Sequence, residues 1–258
     1  MGKVFRGPVP VREGIMTYAD FWDRLEGLER ALQAERLAAI GRMVVGLAHE
    51  SGNALQRTQA ALERLARRVK DRPEALALIA DIQQAQDHLH RLHEEVRAYA
   101  APVKLEPCPC DLAGVWREAW AQLAVEREGR DAALCEEVGG AAGAWVVDPF
   151  RLTQVFRNIL ENSLAACPDP VRIAVRTSAA EVEGRPAVRV VVRDNGPGLS
   201  PEQRQKIFEP FYTTRPRGTG LGMAISKRIV EAHGGHIAAG GDGRPGTEIV
   251  ITLPWRKP

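Results

Sequence analysis

Val190-Val-Val-Arg193-Asp194-Asn195-Gly196-Pro197-Gly198 carries a run of β-branched residues straight into a loop that holds an acid, an amide and two glycines. The run reads as a buried strand, and the abrupt change of composition marks its end. A carboxylate at the lip of a sheet can accept a hydrogen bond from an exocyclic amine, while Gly196 and Gly198 let backbone approach a flat ring. The same loop also makes an ordinary turn, so its surroundings decide.

Immediately upstream, Val171–Thr177 and Ala187–Arg193 form a β-rich pair joined through Glu183-Gly184-Arg185-Pro186, which predicts a hairpin. Before it come a helix around Leu112 to Val125, a short strand at Trp145-Val146-Val147 and a helix from Phe150 to Ala165. On that last helix Asn158 and Asn162 stand one turn apart on one face, where amide oxygens can meet a hydrated Mg2+. Taken singly, either Asn reads as a solvated or capping residue. Downstream, Gly218-Thr219-Gly220-Leu221-Gly222 opens a helix running to Ala232, whose free N–H groups and dipole suit phosphate oxygens. Strands around Ile237 and from Glu248 to Leu253 close the chain. This order predicts an α+β sandwich, with helices covering one face of the sheet.

Further upstream the period changes. From Leu37, apolar or small residues recur at Ile40, Val44, Leu47, Ala54, Ala61 and Leu65, interrupted by polar Ser51 and Thr58. Asp71-Arg72-Pro73 ends this helix, because proline cannot continue a helix interior. A second stripe follows through Leu78, Ile82, Ala85, Leu89, Leu92, Val96 and Tyr99. The two predict an antiparallel helical hairpin. Leu55, Leu62 and Val69 widen the first stripe beyond what one partner covers, which predicts a homodimer built on a four-helix bundle. Leu25, Leu28 and Leu32 make a shorter stripe out of phase with Leu37, as in a coiled coil with a slip.

With 258 residues the chain has room for two domains. Its 35 basic and 33 acidic residues leave a net charge of +2, which argues against a surface devoted to nucleic acid. No window reaches the roughly 20 apolar residues of a membrane span, and the opening lacks a signal peptide's apolar core, so a cytoplasmic protein is expected. Cys108, Cys110, Cys135 and Cys167 show no paired metal spacing and read as reduced thiols. His88, His90 and His93 resemble a metal string but flank Leu89 and Leu92 without sharing a face, so they read as solvated surface. Arg57, Arg64, Arg67, Arg68, Lys70 and Arg72 make the lower first helix basic, a charged surface or a contact for an acidic partner domain.

Asn158-Ile-Leu-Glu-Asn162, Asp194-Asn-Gly196-Pro-Gly198, Phe208-Glu-Pro-Phe211 and Gly218-Thr-Gly-Leu-Gly222 resemble the successive boxes of the GHKL ATP-binding superfamily, specifically its sensor histidine kinases. Ala48-His49-Glu50-Ser51-Gly52-Asn53-Ala54-Leu55 resembles their phosphoacceptor box. The resemblance implies autophosphorylation of His49 by ATP, then phosphoryl transfer to an aspartate on the receiver domain of a response regulator. It places Asn162 on Mg2+ with Asn158 beside it, Asp194 on the adenine amine, and Gly218, Gly220 and Gly222, with Thr219 and Leu221, along the phosphates. It makes Arg215 a basic lid residue near the γ-phosphate, for which Arg217 could substitute. Thr213 and Thr214 are lid contacts or turn residues, and Phe208 and Phe211 hydrophobic anchors for the lid. It also assigns Asn53 to orienting water for dephosphorylation of the regulator.

The bare pattern agrees at His49, which falls on the outward face of the bundle and is therefore reachable. Glu50 can accept the imidazole Nδ1 proton, leaving Nε2 as nucleophile. Ser51, Gly52 and Ala54 depart from the family pattern; Gly52 weakens the helix locally by about 1 kcal/mol relative to alanine, which touches the phosphatase geometry more than the kinase step. Asn158 stands where ATPase relatives carry a Glu, which favours transfer over hydrolysis, with Glu161 keeping hydrolysis open. The expected organisation is an N-terminal segment over 1–36, a dimerisation and phosphotransfer hairpin over 37–101, and an ATP-binding domain over 102–258.

Overall fold

Pro73 marks the break between two helices. The computed structural model describes residues 52, 54–139, 144–182, 184–215, 218–241 and 245–255. Helix α1 runs through 54–68, residues 69–71 turn, and α2 spans Pro73–Ala100 with proline in its first turn. The side chain of Gln86 on α2 is buried and donates to the Leu55 carbonyl on α1, tying the helices together. Their packing corrects the expected seam in part. Leu62 and Ile79 are buried, whereas Leu65, Leu78, Ile82 and Leu89 are 46%, 64%, 48% and 54% exposed. Leu62, expected only to widen the stripe, and Ile79, outside both expected stripes, thus supply the closed face, and much of the expected seam stays open. Residues 1–36, with the Leu25, Leu28 and Leu32 stripe, and the upper first helix lie outside the described residues.

Beyond the hairpin come β1 (Cys108–Asp111), α3 (Leu112–Gln122), β2 (Ala132–Val138), β3 (Ala144–Val147), α4 (Pro149–Ala166), β4 (Val171–Val182) and β5 (Arg185–Asp194). Then follow α5 (Pro201–Lys206), α6 (Gly222–Ala232), β6 (His236–Gly240) and β7 (Glu248–Pro254). Strands order as β2-β4-β5-β7-β6 in one sheet, β2 and β4 parallel and the other neighbours antiparallel; β1 and β3 pair separately. Strand β4 alternates buried Val171, Ile173 and Val175 with exposed Arg172 and Arg176, and β5 buries Val188, Val190 and Val192. Period-2 burial leaves one face for helices to cover. Helices α3, α4 and α6 cover it, with Trp116, Phe156, Leu160 and Ile229 at the centre. The α+β sandwich is therefore observed, with a hairpin longer than expected and with β1, β2 and α5 added.

Asp148 fastens the site-bearing helix. Its Oδ1 caps α4 by accepting from Arg151 N at 2.9 Å, and its Oδ2 accepts from Glu106 N at 2.8 Å. Its backbone N donates to buried His233 Nε2 at 3.0 Å, while His233 Nδ1 lies 2.8 Å from the Ile229 carbonyl. That geometry makes Nδ1 the donor and Nε2 the acceptor. The start of α4 is thereby locked to the end of α6. Among the described residues no helix is long and apolar enough to cross a membrane.

Candidate nucleotide site

The end of β5 delivers Asp194 to the floor of a cavity of about 740 Å³. This volume lies within the roughly 300–1,000 Å³ of small-molecule sites. One wall is the exposed edge of α4, carrying Gln154, Arg157, Asn158, Glu161, Asn162 and Ser163. The opposite wall is the segment between β5 and α6, with Tyr212, Thr213, Thr214 and Arg215. Gly218, Thr219, Gly220 and Gly222 close one end, and Val192, Thr247 and Ile249 line the base. Residues far apart in sequence thus open into one space.

Asp194 is buried and held from three sides. Its Oδ1 accepts from Gly196 N at 3.0 Å and Thr247 N at 2.7 Å, and its Oδ2 accepts from the Ser163 hydroxyl at 2.9 Å. A carboxylate has about four lone-pair directions, so beyond these three donors it can accept from a ligand amine or from the weakly donating Cys167 thiol beside it. Asn158 is equally fixed: its Nδ2 donates to the Gly222 carbonyl at 2.8 Å and to Ser226 Oγ at 3.2 Å. With the nitrogen engaged, the oxygen is the atom left to ligate. Oxygen donors at Asn158, Asn162 and Glu161 fit a hard cation such as Mg2+. Among the described residues no group of three His, Cys, Asp or Glu is placed to hold a metal.

The lid contains one short helix, α5, started by a capping box between Ser200 and Gln203. Arg215 folds back from it and donates from Nη2 to the Asn162 carbonyl at 2.7 Å. Burial pulls its guanidinium below the usual value, and Glu161 opposes that shift. Thr213 Oγ1 accepts from Arg215 N at 3.1 Å, so Thr213 shapes the turn while also facing the cavity. Gly220 has φ +71°, and a Cβ there would lie 2.5 Å from the Phe211 carbonyl carbon. Only glycine fits that approach.

Several expected site residues do their work at one remove. Gly196 and Gly198 do not line the cavity. A Cβ on Gly196 would meet the Cys167 thiol at 2.9 Å, and Gly198, at φ +80°, lies against Gly246. Both glycines shape the loop rather than the ring-facing wall. Leu221 is fully buried in the core. Phe208 packs on the core as an anchor, whereas the Phe211 ring is 57% exposed and it is the Phe211 N–H that engages the glycine loop, donating to the Gly220 carbonyl at 3.0 Å. His88, expected to be solvated, lines the cavity with Arg91 and Glu95 of α2, and His93, expected to be solvated too, has a side chain only 17% exposed, while His90 is exposed. Sequence reasoning also passed over Ser163 and Thr247; the first directly follows Asn162, and the second follows a glycine. His49, Glu50, Asn53 and Arg217 lie outside the described residues.

Residues 147–257 match the family described as histidine kinase-, DNA gyrase B- and HSP90-like ATPase. The sensor histidine kinase ZraS of Klebsiella oxytoca is 32% identical over 241 residues, which cover 91% of this chain and 51% of that protein. Sensor protein ChvG of Rhizobium meliloti is 31% identical over 290 residues, covering 98% of this chain and 48% of that protein. Full-length ShkA solved in complex with AMPPNP superposes with a TM-score of 0.68 at 26% identity, over 84% of this chain and 46% of that one. Histidine kinase ThkA, in complex with response regulator TrrA, gives 0.62 at 26% identity, over 90% of this chain and 66% of that one. Residues 147–257 are thus similar to the ATP-binding domains of that family. Over most of its length the chain is similar to sensor histidine kinases. It spans about half the length of the relatives it matches.

Proposed function

We propose that the chain binds ATP in this cavity and transfers its γ-phosphoryl group to His49, then on to an aspartate of a response regulator receiver domain. The observation that carries the reading is the convergence of Asp194, Asn158, Asn162 and the Gly218–Gly222 loop on one nucleotide-sized space. Asp194 Oδ2 receives the adenine amine, and the start of α6 holds phosphate oxygens. Arg215, Thr213 and Thr214 lie along the triphosphate side. Asn162, with Asn158 beside it, holds Mg2+, which when bound neutralises phosphate charge.

In transfer, His49 Nε2 forms a bond to the γ-phosphorus as the bond from that phosphorus to the bridging oxygen breaks, releasing ADP. Glu50 takes the Nδ1 proton. The phosphoryl group then passes from Nε2 to a receiver carboxylate, and Asn53 orients water for hydrolysis of the regulator's phosphate. The exposed row of Leu65, Leu78, Ile82 and Leu89 is the face on which a second copy packs to form a four-helix bundle. ATP supply and the reduced cysteines suit a cytoplasmic location.

Incubation with ATP and Mg2+ while following both protein-bound phosphate and free phosphate tests transfer against hydrolysis. Protein-bound phosphate approaching one per chain, with little sustained release, is expected. Continuous release lost in Glu161→Gln would make the chain an ATPase instead.

A further inference from the structure

The last turns of α2 lie against the start of α6. The Glu95 carboxylate accepts a hydrogen bond from the Thr219 hydroxyl, inside the glycine loop. Thr219 Oγ1 in turn accepts from Leu221 N at 3.3 Å. Next to this contact, Arg228 Nη2 on α6 donates to the Ala101 carbonyl at 3.1 Å, and its guanidinium sits 5.2 Å from the Tyr99 ring centroid. Glu95 also lines the nucleotide cavity. A carboxylate therefore stands at the positive end of an eleven-residue helix, where an anionic ligand is otherwise favoured.

We propose that Glu95 is an autoinhibitory latch: its carboxylate takes the place of a nucleotide phosphate at the Gly218–Gly222 loop, and a bound triphosphate expels it and loosens the last turns of α2 from the start of α6. This rests on the nucleotide-site reading above. Two anions cannot share one set of donors, so nucleotide binding and the α2 contact oppose one another. Linkage makes the opposition reciprocal: the factor by which the closed latch weakens nucleotide binding is the factor by which bound nucleotide weakens the latch. Arg228 with Tyr99 and Ala101 acts as the hinge-side tether, because neither contact touches the phosphate position.

The test is calorimetric titration of AMPPNP with Mg2+ into the full chain and into Glu95→Gln, Glu95→Ala and Glu94→Ala. Amide hydrogen exchange over 95–101 is followed in parallel. Both Glu95 variants are expected to bind about tenfold more tightly, within the usual range for coupled sites. Glu94→Ala, whose carboxylate pairs with Arg97 instead, is expected to match the parent. Exchange over 95–101 should rise in the parent when nucleotide is added and be raised already in the Glu95 variants. Unchanged or weaker binding in the Glu95 variants, with a parent that binds, overturns the latch and leaves the site standing. Failure of the parent and all variants to bind overturns the nucleotide site and the latch with it.

Discussion

Asp194 is held by two backbone N–H groups and one hydroxyl, yet still faces the cavity. Asp194→Asn keeps one oxygen for Gly196 and Thr247 but turns an NH2 toward Ser163 and the incoming amine. A buried donor facing a donor costs about 1–3 kcal/mol, so nucleotide affinity should drop roughly tenfold to a hundredfold. Titration with AMPPNP measures it, and unaltered affinity would remove Asp194 from the adenine subsite. Gly220→Ala forces a side chain into positive φ against the Phe211 backbone. Urea unfolding should show a loss of order 1–3 kcal/mol, and equal stability would mean that the loop relaxes.

Cys167 is 4% exposed, and burial followed by the Asp194 charge pushes its thiol up from 9.0 to about 11. Between those values the unfolded chain loses a proton that the folded chain keeps, so stability should fall as pH rises through the window. Cys167→Ala should flatten part of that slope. Cys110 and Tyr99, also raised by burial, act in the same direction. A thermal-unfolding series from pH 8.5 to 11 that is identical for parent and variant would contradict this.

At the scale of elements, the strongest readings came from local sequence marks. The sequence placed α6 from Gly222 to Ala232, where it is observed, because the glycine run marks its start; Met223, Ile225, Ile229 and Val230 form its buried face. Strand β2 escaped notice because Ala132–Val138 is half-exposed at a sheet edge, without alternation. What holds it is tertiary: a parallel pairing with β4 from Ala132 opposite Val171 to Val138 opposite Thr177, flanked by Glu136 with Arg117 at 2.6 Å and Glu137 with Arg176 at 2.7 Å. Helix α5 has no buried residue, and only its Ser200–Gln203 capping box carried a signal. On α2 the heptad pattern was legible, but which positions close within one chain and which wait for a second was not, since both are equally apolar. Ile82→Glu, on the open row, should therefore convert a dimer to monomer in sedimentation velocity while leaving the far-UV spectrum intact. A dimer that persists would exclude this row as the interface.

At the scale of the molecule, the sequence identified the chemistry of the cavity better than its boundaries. Asn158, Asn162, Asp194 and the glycine loop were legible because each occupies a position where only one or two residue types serve. Ser163 and Thr247, which position Asp194, act through hydrogen bonds that form only once α4 and the segment before β7 are brought against the end of β5. Likewise His88, Arg91 and Glu95 carry no local mark, because they reach the cavity only once the hairpin lies against the domain. Such contacts are properties of the folded chain.

Mapping the phosphorylated residue after incubation with γ-phosphate-labelled ATP and Mg2+ tests the central claim most directly, that this cavity serves one imidazole on the stalk. The expected product is an acid-labile, base-stable phosphate on His49, absent from His49→Gln and strongly reduced in Asp194→Asn. Label that persists in His49→Gln, or a parent that binds nucleotide tightly and never labels, would contradict it.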